Sequence, residues 1–233
     1  MQMYIPVYDP MHPSLDVFFE FLQRMWPECP YEIVAVCGAT EYKPKKNIPN
    51  LTVKVLGKSM DWSSHVLDGM EYLDDFFLMS LEDYIISSPV DNNFFVETHE
   101  YMRQHENVGC IRMHYYEWPQ YNRLYHTIAD DHDENYGRLK KIEYYLSMQM
   151  AYWRKDCLAP LLIRGESAWD AEMIGSERAW LSDYDFLCVK LHKMPVHYLL
   201  AVARGKWITR NMRRLQKIAP DIKLPRKGRL FTA

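Results

Sequence analysis

Residues 76–81 are almost wholly apolar, and the run then stops on two adjacent carboxylates, Glu82 and Asp83. So short a run reads as a buried strand rather than a helix. Unpaired charges do not follow such a strand into a core. Its end must therefore lie at a polar edge.

The stretch before it repeats the theme. Residues 3–8 form an apolar strand stopped by Asp9 and Pro10. Ser14 is placed to cap a helix reaching about residue 25, with Leu15, Phe18, Phe19 and Leu22 on one face. Strands follow at 31–37 and 51–56, and a helix at 61–73 starts near Asp61 or Ser63. Strand, helix, strand, strand, helix, strand is an α/β order. Continuous apolar strands alternating with helices predict a mostly parallel central sheet covered on both faces. In such sheets ligands collect beyond the carboxyl ends of the strands. Asp9 and the Glu82-Asp83 pair both sit at such ends.

The second half predicts a helix at 89–105, a strand at 109–114 and a polar stretch from about 117 to 135. The spacing of Ile142, Tyr145, Leu146, Gln149 and Trp153 predicts one more helix. A helix beginning near Ser167, then short strands at 186–190 and 197–202, lead into a basic tail. Residues 204–229 hold ten Lys or Arg and one acid, Asp221, although the whole chain of 233 residues carries a net charge of only −3. The five cysteines are odd in number, widely spaced and form no CxxC, which excludes a disulfide framework and a cysteine zinc site. No run of about 18 apolar residues predicts a membrane span. The first residues lack the basic start and apolar core of a signal peptide, so a cytoplasmic protein is expected.

Several side chains suit chemistry. Paired carboxylates at a strand end can hold Mg²⁺ or Mn²⁺, which take one or two protein carboxylates together with phosphate oxygens; the same pair can also simply cap the next turn. Ser167 and Asp170 have the spacing of a capping box. Glu172 then falls near the start of the same helix, where the dipole favours its ionised form, as a general base requires. A carboxylate placed there for stability alone is the plainer reading. His197 can supply a further metal ligand from a late strand, and the acids at 130–134 can hold a cation or form a solvated loop. GxSxG, P-loop, GxGxxG and HExxH patterns are absent.

Three segments together resemble the GT-A-type glycosyltransferases, especially small bacterial and viral enzymes of polysaccharide synthesis. The first is Tyr4-Ile5-Pro6-Val7-Tyr8-Asp9 followed by a helix and Trp26 to Ile33. The second is Phe77 to Tyr84, which looks like their strand ending in an acidic metal motif. The third is Ser147 to Arg154 with Gly165 to Glu172 and Gly175-Ser176, which looks like their acceptor-side block. The usual metal motif is Asp-x-Asp, and here its first acid is replaced by Leu81.

The resemblance implies a GT-A-like domain over residues 1–205, with 206–233 as a basic extension packed on it. It implies sugar transfer from a nucleotide-diphosphate sugar to a hydroxyl of a carbohydrate acceptor, with inversion, and dependence on Mn²⁺ or Mg²⁺. Tyr8, Asp9 and Asp61 would sit near the nucleotide-sugar, with Glu82 touching the ribose or supporting Asp83. Asp83 would bind the metal, and Glu172 would be the catalytic base. Beside the resemblance, His197 stands as a second metal candidate and Asp170 as a second catalytic one. The basic tail keeps open a nucleic-acid partner, as in a viral enzyme that sugars a modified base in the host cytoplasm. A non-catalytic glycan-binding module is the reading from outside enzymology.

Overall fold

The computed structural model describes residues 1–114, 128–225 and 228–230. Residues 115–127 of the polar stretch, and Arg226 and Lys227 of the basic tail, lie outside the described residues.

In chain order the main elements are β1 (Gln2–Val7), α1 (His12–Met25), β2 (Glu32–Cys37), β3 (Leu51–Val55), α2 (Trp62–Gly69), β4 (Phe76–Met79) and β5 (Tyr84–Ile86). There follow α3 (Asn92–Gln104), β6 (Val108–Arg112), β7 (Ala129–Asp131), β8 (Tyr136–Leu139), β9 (Ala151–Arg154), α4 (Lys155–Leu158) and α5 (Ala168–Ala179). The chain closes with β10 (Asp185–Val189), β11 (Tyr198–Leu200), β12 (Val202–Ala203), β13 (Lys206–Trp207) and α6 (Thr209–Ile218).

One sheet of nine strands runs β3-β2-β1-β4-β9-β6-β10-β8-β7. The strands β1 to β4 are parallel, and β10 lies parallel to β6. β9 is antiparallel to both β4 and β6, and β8 is antiparallel to β10 and β7. All but β8 and β9 therefore point the same way. The mostly parallel α/β sheet expected from the apolar runs is present.

Alternation along the strands builds two cores. Ile5, Ile33, Leu78, Tyr152 and Leu187 pack on one face with α1 and α3 through Phe18, Phe95 and Met102. Tyr4, Val34, Phe77, Trp153 and Phe186 pack on the other with α2 and α5 through Val66 and Ala171. The 206–225 stretch joins the first core through Trp207, Met212, Leu215 and Leu224.

Two local expectations are corrected. Ser14 does not cap α1. The helix begins at His12, Pro13 lies in its first turn, and the buried Ser14 hydroxyl donates to the Glu82 carbonyl at 3.0 Å. That bond ties α1 to the carboxyl end of β4. Nor is there a helix over 142–153. Residues 151–154 form β9, wedged between β4 and β6, with Trp153 opposite Phe77 and Cys110. Its apolar residues serve a strand buried on both faces, and the pairing available from two neighbours overrides the helical spacing. Asp61 does cap α2, accepting from Ser64 N at 2.8 Å.

Candidate active site

The sheet order reverses direction at β1 and β4. Moving along the chain, β2 and β3 add on one side of β1, and β4 adds on the other. A crevice outside the carboxyl ends at such a reversal is the general ligand position in open α/β sheets. Tyr8 and Asp9 leave β1 there, and Glu82 and Asp83 follow β4 at the same edge.

A cavity of about 530 Å³ opens beside that edge. Asp83, Arg112, His114, Ser147, Gln149 and Glu172 contribute polar groups to its wall, and Tyr84, Tyr198 and Trp169 contribute rings. Asp83 comes from the turn after β4, Arg112 from the end of β6, and Glu172 from the second turn of α5. β9 starts at this edge because it runs against its neighbours, so the residues just before it, Ser147 to Gln149, also reach the wall.

Glu172 is held from one side. Met148 N donates to Oε1 at 2.7 Å and Ser147 Oγ to the same oxygen at 3.1 Å. No hydrogen bond to Oε2 occurs among the described residues. Burial pushes its proton affinity up, while the Met148 and Ser147 donors and the Arg112 charge pull it back in part. The net direction is upward, so burial outweighs the helix-start preference for the anion. Asp83 is raised further, by burial first and by the Glu172 charge besides. Its Oδ1 is buried and accepts no hydrogen bond among the described residues. Glu82 is buried behind it and also raised, by burial and by Asp83, with the Tyr8 N–H holding it down only in part.

Arg112 donates to the carbonyls of Tyr144 and Tyr145. His114 is pushed down to about 4 by burial and by neighbouring His197, so at neutral pH it acts as an uncharged imidazole. Tyr144 and Arg204 both hold positive φ, 58° and 48°, and both line the cavity. Such backbone strain tends to collect at ligand sites.

The remaining candidates sit elsewhere or are committed to structure. Asp170 and Ser167 complete a reciprocal capping box: Asp170 accepts from Ser167 N at 3.1 Å, and Ser167 Oγ accepts from Asp170 N at 3.2 Å. Asp170 is exposed and does not line the cavity. Asp61 accepts from Gly165 N at 2.9 Å as well as capping α2. Asp9 accepts from Gly38, Ala39 and Thr40 N, each at 2.8 Å. Its ligand atoms also cluster with those of His12 and Cys37 within 4.8 Å. With both Asp9 oxygens bonded to the 38–40 loop and Cys37 accepting from the Tyr42 backbone, that trio fastens the loop to the end of β1. Tyr8 is 47% exposed beside it. His197 is exposed and outside the cavity wall. The acids at 130–134 are taken up at the sheet edge: Asp130 pairs with Lys140, Asp131 with Lys190 and Glu134 with Lys193.

Arg112, His114 and Trp169 were not singled out from the sequence. The signal was present for two of them. Arg112 and His114 stand where the apolar run of β6 turns polar, as Glu82 and Asp83 do after β4.

Among the described residues no helix is long and apolar enough to cross a membrane. No protein-family model matches the chain, and no curated protein matches it by sequence. Solved structures do match in shape. TarS of S. aureus, a glycosyltransferase, superposes with a TM-score of 0.52 at 14% identity, covering 97% of this chain and 41% of TarS. This chain thus spans less than half of that protein. A TarS fragment in complex with UDP gives 0.53 at 14% identity, covering 97% and 68%. An apo UDP-glucose pyrophosphorylase gives 0.50 at 8% identity, covering 86% and 93%. At such identities the likeness concerns the fold, and the fold of this chain is GT-A-like, the α/β architecture that these transferases share.

Proposed function

We propose that the chain is a glycosyltransferase that moves a sugar from a nucleotide-diphosphate sugar to an acceptor hydroxyl with inversion. The observation that carries this reading is the meeting of Asp83 and Glu172, from distant parts of the chain, in one cavity at the carboxyl edge of a GT-A-like sheet.

Asp83 suits a hard divalent cation. Its buried Oδ1 lacks a donor among the described residues, and two carboxylates with raised proton affinity face one cavity. Oxygen donors of this kind match Mg²⁺ or Mn²⁺. When bound, such an ion supplies neutralisation of the departing diphosphate. Glu82 supports Asp83 from behind.

Glu172 takes the acceptor proton. Met148 and Ser147 fix Oε1, so the carboxylate keeps one orientation and Oε2 remains for the hydroxyl. Its raised proton affinity makes it a stronger base than an exposed glutamate. The acceptor oxygen then forms its bond to the sugar C1 as the bond from C1 to the diphosphate oxygen breaks. The Met148 and Ser147 donors, and after them the Arg112 charge, offset part of the burial that favours the protonated form of Glu172.

The test is turnover. Purified protein with Mn²⁺ and a panel of nucleotide-diphosphate sugars should release nucleoside diphosphate, and acceptor should speed the release. Binding without any release, acceptor present or not, would leave a glycan-binding module. Release of pyrophosphate from a nucleoside triphosphate and sugar phosphate would instead make the protein a nucleotidyltransferase, the chemistry of the pyrophosphorylase that shares its fold.

A further inference from the structure

α6 buries Met212 and Leu215 and turns Arg210, Arg213, Arg214 and Lys217 to solvent. Like charges three and four residues apart repel one another along a helix. Nothing within the described residues offsets them: none of the four, nor exposed Arg204 and Lys206 before them, meets a carboxylate in an ion pair. The acid of this segment, Asp221, is occupied by Arg24, whose Nη1 donates to Oδ1 at 2.8 Å. Elsewhere Lys46, Arg103, Arg138 and Lys190 each face a carboxylate.

The row of charge leads to the cavity. Arg204, at the turn between β12 and β13, lines its wall. Asn211 Nδ2 donates to the carbonyl of Leu200, another wall residue, at 2.7 Å and so fixes α6 beside it. From Arg210 to Lys217 the cations cover about 10 Å at 1.5 Å per residue. A row of that length can meet a few successive phosphates of one strand.

Two features choose among polyanions. A helix that binds a lipid surface needs an apolar face for the bilayer, and the apolar face of α6 lies in the protein core. Beyond the cations, the cavity wall carries the rings of Tyr84, Tyr198 and Trp169, the last 64% exposed. Cations outside and aromatic rings inside are what a single strand requires, since bases stack on rings while phosphates meet charge.

We propose that α6 and the Arg204 turn bind the phosphate backbone of a single nucleic-acid strand and lead one of its nucleotides into the cavity as acceptor. The acceptor role rests on the transferase reading above; the binding does not. A hydroxyl oxygen of that nucleotide would bond to the sugar C1 as the bond from C1 to diphosphate breaks, its proton passing to Glu172.

The experiment is a fluorescence-anisotropy titration with a short labelled single-stranded oligonucleotide over a range of salt. The variant replaces Arg210, Arg213, Arg214 and Lys217 by Gln. Each phosphate contact contributes about 0.7 to the slope of log K against log salt. The variant should therefore bind more weakly and show a slope shallower by about 2–3. Replacing the three arginines by Lys should restore most of the slope. If the fourfold variant melts early, Arg213→Gln with Arg214→Gln should remove about half of the slope change. An unchanged slope, or preferential binding of phosphatidylserine vesicles or of heparin, would overturn the proposal. Binding of nucleoside diphosphates with Mn²⁺, measured on the same proteins, should not change. Its absence from the wild type would count against the transferase reading alone and leave the strand result standing.

Discussion

Glu172 and Asp83 line the same cavity from distant parts of the chain, and the charge of Glu172 raises the proton affinity of Asp83. Two acids so placed are costly without a cation or a proton between them. That cost is what the proposed chemistry uses, and it makes the site testable.

Glu172→Gln keeps the size of the side chain and can still accept from Met148 and Ser147. It cannot take a proton. Donor binding should survive while turnover falls on the order of 10²–10⁴-fold. Asp170→Asn should lower the melting temperature by a few degrees through its cap and leave turnover of the folded protein near wild type. Steady-state kinetics on both variants checks the pair, and the opposite pattern would exchange their roles.

Asp83→Ala should weaken binding of nucleoside diphosphates in the presence of Mn²⁺ and change little in its absence. Calorimetry with and without the ion measures this. Equal losses under both conditions would remove the metal role from Asp83.

The raised acids also set a pH dependence. Folded Glu82 and Asp83 hold protons that the unfolded chain releases above about pH 4. Rising pH between there and neutrality therefore works against the fold through these groups. Glu82→Gln should lose that contribution, so its stability should fall less than the wild type's between pH 5 and about pH 8. Thermal melts of the metal-free proteins across this range check the sign.

Gly109 in β6 leaves no room for a side chain. A Cβ there would meet Cys157 Sγ inside normal contact and Tyr184 Cβ at 2.7 Å. Gly109→Ala should cost about 1–3 kcal/mol by overpacking, seen as a lower denaturation midpoint with an unchanged slope.

The sequence by itself determined the class of sheet and the edge where ligands collect. Apolar runs at β1, β2 and β4 read as strands buried on both faces, and the carboxylates after them mark the strand ends at one edge, although Glu82 is itself buried there. The Asp61 cap and the Ser167–Asp170 box were equally legible, because a cap bonds within three residues of itself. What tertiary structure alone decided depends on partners far along the chain. Ile142 to Trp153 carry helical spacing, yet β9 forms because β4 and β6 leave a gap with unpaired backbone on both sides. Ser14 looks like a cap until the Glu82 carbonyl, 68 positions away, claims its hydroxyl. Glu172 carries a helix-start signature that favours the anion, but burial, offset only in part by the Met148 and Ser147 donors, reverses the direction of its shift. Desolvation depends on everything packed around a group, and residue spacing does not contain that information.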